Sequence, residues 1–160
     1  MNSLQDVLEE KAKANSLLME KKYSQAEAAY KTILENIENL LKNENLEKKD
    51  EIMEQKKLIM SNLALSLKKQ YKISEGMKYD RIIIKKLDKE FAKSYARLIE
   101  GYMDLDKMSM ARYHYDLMKE HVDKETIDKC AEVINKLNEK LKEKDQNVDG
   151  LLMLKNLIGK

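Results

Sequence analysis

The sequence predicts an all-α fold, and three observations predict it. The chain has no Pro and only four Gly in 160 residues, whereas a sandwich or barrel needs turn residues every ~8–12 positions. Leu, Ile, Met and Tyr recur at helical spacing, so apolar faces exist to bury and a disordered chain is excluded. The single cysteine, Cys130, rules out an internal disulfide framework and a four-cysteine zinc site. The length suits one domain rather than two.

Charge narrows the function classes. With 31 basic and 29 acidic residues the net charge is +2, far from the strongly basic balance of a nucleic-acid domain, so no nucleic-acid partner is expected. The start, Met1-Asn2-Ser3-Leu4-Gln5-Asp6, lacks the basic and apolar regions of a secretory signal and is too acidic for a transit peptide. No stretch reaches the ~20 apolar residues of a membrane span. The expected address is the cytoplasm, with the nucleus as the alternative.

Seven helical segments and a tail follow from periodicity. The first runs from Leu4 to Glu20 on Leu4, Val7, Leu8, Ala14, Leu17 and Leu18. Ser24-Gln25-Ala26-Glu27 has the form of a capping box and opens a second helix carrying Ala26, Tyr30, Ile33, Leu34, Ile37 and Leu41. The polar, Asn-rich stretch Lys42–Asp50 reads as a loop. A third helix covers Glu51–Gln70, a fourth Ser74–Leu87, a fifth Lys89–Leu105 and a sixth Lys107–His121. A seventh spans Asp123–Lys144, with Ile127, Ala131, Ile134, Leu137 and Leu141 on one face. Gly150 is expected to end it, leaving a tail over 145–160 whose Leu151, Leu154 and Ile158 form a short apolar stripe that something must cover: its own domain, a second copy or a client.

Helices of this length, joined in pairs by short turns, prompt a search for repeats. Ala14, Ala26, Tyr30 and Ile33 stand at offsets 0, 12, 16 and 19, and Ala64, Gly76, Asp80 and Ile83 stand at the same offsets. Ile99, Ala111, Tyr115 and Met118 repeat them again. Small side chains let the two helices of a pair cross closely, while large ones fill the space between pairs. Asp80 in place of an aromatic, Ile99 in place of a small residue and the missing terminal Pro are departures from this pattern. In these residues the chain resembles the tetratricopeptide repeat family. The resemblance implies three helix-turn-helix repeats, approximately 7–42, 57–88 and 92–122, in a right-handed superhelix over 4–144. The helix at 123–144 then caps the apolar end of the stack.

In such a stack the first helices of the pairs line a concave surface. Lys11 and Asn15 lie four apart on the first helix, Asn62 lies on the third, and Lys93 and Arg97 lie four apart on the fifth. These five are similar to the two-carboxylate clamp of tetratricopeptide co-chaperones, the class of the heat-shock organising protein and the large immunophilins. What the resemblance implies is capture of the Glu-Glu-Val-Asp tails of heat-shock protein 90 or heat-shock protein 70. Lys11, Asn15 and Asn62 would hold the terminal carboxylate, Lys93 the Asp side chain, and Arg97 the peptide backbone or an upstream group. Leu18 and Leu65 are either an apolar pocket for the peptide or interior packing. The class alternative is a scaffold that binds another protein or an internal peptide, or assembles with itself. A second partner or cargo stays unspecified.

Other chemistry finds no footing. His114 and His121 lie two turns apart and could be joined with Cys130, but zinc wants three or four ligands with a tight spacing motif. No nucleophile–base pairing or Gly-rich phosphate loop is present, and the isomerase domain of the immunophilins is missing. No enzyme activity, cofactor or metal is expected.

Overall fold

A computed structural model describes residues 1–158 and shows only helices among them. In chain order these are α1 (Leu4–Met19), α2 (Tyr23–Leu41), α3 (Lys49–Lys69), α4 (Ile73–Ile82), α5 (Ala92–Asp104), α6 (Met108–His121), α7 (Lys124–Asp128) and α8 (Ala131–Ile158). α4 ends in a π-helical turn, Ile83–Leu87, closed by the Asp88 amide donating to the Ile83 carbonyl at 2.8 Å.

Three antiparallel hairpins, α1/α2, α3/α4 and α5/α6, share one turn. The second residue after each first helix is left-handed, at Lys21 (φ 61), Tyr71 (φ 60) and Asp106 (φ 55). The next amide, of Lys22, Lys72 or Lys107, donates back to Leu17, Leu67 or Tyr102 at 2.9, 3.0 and 2.8 Å, satisfying carbonyls that a helix end would otherwise orphan. The same three lysines precede the second helices, and their carbonyls accept from Ala26, Gly76 and Ala111. Turn residues and small residues thus repeat at the spacings found in the sequence.

Packing explains why those positions are small. A Cβ on Gly76 would stand 3.0 Å from the Ala64 carbonyl oxygen, so α3 and α4 cross at backbone distance there. All four offset positions of the first two hairpins are buried: Ala14, Ala26, Tyr30 and Ile33, then Ala64, Gly76, Asp80 and Ile83. In the third, Ile99, Ala111 and Met118 are buried and Tyr115 is half-buried. Successive helices touch, α2 on α3 and α4 on α5, and α8 packs on α5 and α6. The core divides into one cluster around Tyr30, Ile37, Ile59 and Leu63, and another around Tyr95, Leu98, Met118 and Leu137.

Three local expectations are corrected. Ser24 does not cap α2: the helix begins at Tyr23 behind Lys22, and Glu27, instead of reaching back, accepts from Lys31, Gln70 and Lys72. The seventh segment is two helices. Asp123 caps short α7 by accepting from the Thr126 amide at 2.9 Å, and the chain breaks at Lys129-Cys130 before α8. Gly150 does not end a helix, because α8 runs through it to Ile158, and so no helix end separates 145–158 from the cap. Residues 159 and 160 of that tail lie outside the described residues.

Gly150 has nothing within 4 Å of a Cβ built on it and no positive φ. Its only effect is to weaken the helix, by roughly 0.5–1 kcal/mol relative to Ala. Gly150→Ala is therefore expected to raise the far-ultraviolet helical signal and slow amide exchange in residues 145–157 without altering the rest of the chain.

Candidate functional site

The five sequence-selected donors sit on α1, α3 and α5, and the structure treats them in three ways. Asn15 and Asn62 meet directly, Asn62 Nδ2 donating to Asn15 Oδ1 at 3.0 Å. The same oxygen accepts the Tyr30 hydroxyl at 2.6 Å. Two donors on one oxygen fix the Asn15 amide, so its Nδ2 group is left for another partner. Tyr30 is fully buried, and burial raises its phenol to about 12 although the Asn62 contact opposes the rise. The hydroxyl is therefore a donor throughout the neutral range.

Lys11 is half-buried and donates to Gln55 Oε1 at 2.7 Å, across from α1 to α3. Burial lowers its ammonium pKa and Glu54 partly offsets this. Gln55 lies seven positions before Asn62, two turns along one helix face, so Lys11 and the Asn pair belong to one seam. Lys93 is exposed and makes no hydrogen bond or ion pair with the described residues.

Arg97 is turned inward. Its Nε lies 3.2 and 3.0 Å from the two Asp80 carboxylate oxygens, and one terminal nitrogen lies 2.7 Å from Asp80 Oδ1 and 2.7 Å from Ser61 Oγ. Ser94 donates to the same carboxylate at 2.7 Å. Asp80 is 1% exposed, and burial pushes its carboxyl above the ordinary range while Arg97 and Ser94 pull against it. A guanidinium committed this way ties α3, α4 and α5 together and does not stand ready for a peptide. Arg97, expected at the peptide backbone or an upstream group, is held here by Asp80 and Ser61.

Register relates the donors to the three turns. Counted back from the turn residues Tyr71 and Asp106, Asn62 and Arg97 hold the same place, nine positions before each. Asn15 stands six before Lys21, and the corresponding residue of the third hairpin is Glu100, which pairs with Lys68 at 2.8 Å. An acid therefore stands on α5 where the first hairpin carries an amide. The surviving group is a half-site: Lys11, Asn15 and Asn62, with Lys93 as a free cation on α5. It can bind one carboxylate through an ammonium and an oriented amide.

Of the two apolar candidates, Leu18 packs against the first core cluster, and Leu65 is half-buried outside both clusters. His114 is buried, donates through Nδ1 to the Met110 carbonyl at 2.9 Å and lies against Tyr102 and Tyr113. Among the described residues no group of three His, Cys, Asp or Glu is placed to hold a metal.

A second cationic surface was not gathered by sequence reasoning. Arg81 and Lys85 on α4 and its π turn, with Lys89 beyond them, border a cavity of about 180 Å³ shared with Tyr102, Tyr113 and His114. No carboxylate lines it. The i,i+4 pair Arg81/Lys85 was the available signal, but the aromatic residues come from α5 and α6 and join it only through tertiary packing.

No protein-family model matches this sequence, and no curated protein matches it. No helix of the described residues is long and apolar enough to cross a membrane.

Proposed function

We propose that this chain is a tetratricopeptide-type adaptor that binds the carboxylate end of an extended peptide on the α1/α3 seam. The observation that carries the proposal is the direct Asn15–Asn62 contact, which brings together side chains 47 positions apart and leaves one amide donor four residues from Lys11 on the same helix. The preferred ligands are acidic tails ending in Glu-Glu-Val-Asp, as carried by heat-shock proteins 90 and 70. Lys11 and Asn15 take the terminal carboxylate, Asn62 orients Asn15, and Lys93 attracts the neighbouring acidic side chain. Charge-assisted hydrogen bonds contribute about 1.5–3 kcal/mol each, and after the ordering of a flexible peptide the expected affinity is roughly micromolar or weaker.

Calorimetric titration with pentapeptides ending in Met-Glu-Glu-Val-Asp and Ile-Glu-Glu-Val-Asp tests this. Binding should weaken with added salt. Lys11→Ala and Asn15→Ala should each reduce affinity about tenfold or more without loss of helicity. Equal binding of a C-terminally amidated peptide would remove the carboxylate from the mechanism.

The second reading, a repeat scaffold for another protein or an internal peptide, is favoured by the Arg97–Asp80 pair, which withdraws one of the five donors. The same titration separates the two, since a scaffold has no preference for a free carboxyl terminus.

A further inference from the structure

The cavity bordered by Arg81, Lys85 and Lys89 is separate from the α1/α3 seam: its walls come from α4 and its π turn, α5 and α6. The three cations form no ion pair among the described residues, and Arg81 makes only a long 3.4 Å contact with the Tyr102 hydroxyl. Two carboxylates, Asp88 and Glu120, act on Tyr95, which also lines the cavity. Neither of them lines it, and Asp88 is held by Lys57 at 2.9 Å. Three unpaired positive charges around one hollow repel one another until an anion lies among them. A dianion suits them better than a single carboxylate does, and a guanidinium matches phosphate oxygens with paired N–H groups.

His114 adds a donor site that nothing in the fold uses. It is 4% exposed, and its Nδ1 must carry the proton given to the Met110 carbonyl at 2.9 Å, because a carbonyl only accepts. Nε2, across the ring, has no partner among the described residues, yet it is not sealed from solvent. It therefore opens on the cavity that His114 lines. Burial, with Arg81 and Lys85 nearby, holds the ring below its ordinary 6.5, so it is neutral at pH 7.

The geometry points to a phosphate monoester on an aromatic ring as the ligand of this cavity, its phosphoryl group among Arg81, Lys85 and Lys89 and its ring against Tyr113. Tyr113 and Met110 border the cavity and are 56% and 40% exposed, an apolar surface that a ring would cover. The volume of about 180 Å³ lies below the ~300–1,000 Å³ of a drug-sized site, so it suits a phosphorylated phenol and not a whole nucleotide. A bound dianion offsets the repulsion from Arg81 and Lys85, and His114 then takes up a proton and donates it from Nε2. Such a group is carried by a free aryl phosphate or by a phosphorylated tyrosine side chain.

Nuclear magnetic resonance of the two histidine rings in the full chain tests this with phenyl phosphate, independently of any peptide on the α1/α3 seam. The His114 signals should saturate with a Kd of roughly 1 mM or tighter, and inorganic phosphate should bind at least about threefold more weakly. On saturation the titration midpoint of His114 should rise by about one pH unit. Arg81→Gln should weaken phenyl phosphate by about tenfold or more. Tyr113→Ala, at an exposed position, should erase the preference over inorganic phosphate and leave the binding of inorganic phosphate itself unchanged. A short phosphotyrosine peptide blocked at both ends separates the two sources. Binding as tight as phenyl phosphate, or tighter, assigns the site to a phosphorylated side chain, and no binding assigns it to the free ester. His114 signals unmoved by phenyl phosphate at about 20 mM would overturn the proposal. So would unchanged affinity in Lys85→Gln with Lys89→Gln, a variant at two exposed positions that leaves the fold intact. Benzoate bound as tightly as phenyl phosphate would overturn the assignment of a dianion.

Discussion

Replacing Arg97 by Met is expected to lower the stability of the chain by about 3–5 kcal/mol, because it strands the Asp80 carboxylate in the interior. Asp80 is 1% exposed and draws its donors from Arg97 and Ser94. With Arg97 gone, one hydroxyl remains to hold a charge that burial already disfavours. Removing both charges, as Asp80→Leu with Arg97→Met, should recover most of the loss, since a buried pair and an apolar pair of similar volume are often close in stability. Urea unfolding with an unchanged m value is the measurement. Lys93→Met, four residues earlier but exposed and unpartnered, should stay within about 0.5 kcal/mol of wild type. If Arg97→Met proved equally harmless, the guanidinium would be available to a ligand after all. The sequence on its own predicts loss of binding with helicity intact for a change at Arg97. The structure predicts that the fold suffers first.

That contrast shows where a sequence stops being legible. The all-α class, the extent of α1, α3 and α6, and the three sets of offsets follow from spacing alone. Their cause is local, the period of a helix and the need for small residues where two helices cross. Asp80 was visible as a departure, an acid where a large apolar residue belongs. Its explanation lies 17 positions on, in Arg97, and no local pattern joins them. The charge of Arg97 was legible and its direction was not. Glu27 failed in the same way. Its spacing from Ser24 fits a capping box, yet Gln70 and Lys72, more than forty positions on, compete for the carboxylate and win. Gly150 errs in the opposite sense: a glycine's cost of about 1 kcal/mol is too small to stop a helix whose neighbours on both sides are good formers. Asn15 and Asn62 were legible as candidates on two neighbouring first helices, but the bond in which one amide donates to the other was not, because it joins side chains 47 positions apart.

Acidification should unfold the chain mainly through Glu27, the joint between the first two hairpins. Burial alone would raise this carboxyl. The donors from Lys31 at 2.7 Å, Lys72 at 2.9 Å and Gln70 at 2.8 Å overcome that and hold it at about 2, against an ordinary 4.5. A carboxyl held low in the fold takes up a proton more readily once unfolded. Its stabilisation is therefore complete above pH 4.5 and is lost as pH falls towards 2, a change on the order of 3 kcal/mol. Asp80 acts with the opposite sign. Burial raises its carboxyl, so its ionisation costs stability as pH rises through the acid range and its protonation returns some of it. His114, held low by burial and by Arg81 and Lys85, adds a milder loss as pH falls below 6.5. Glu27→Gln isolates the first contribution, because it keeps the shape and removes only the titrating charge. The gap between wild type and this variant in urea unfolding should be on the order of 2–3 kcal/mol at pH 7 and close to nothing at pH 2. A gap that stayed constant across that range would mean that Lys31 and Lys72 hold the hairpins together without help from the carboxylate charge.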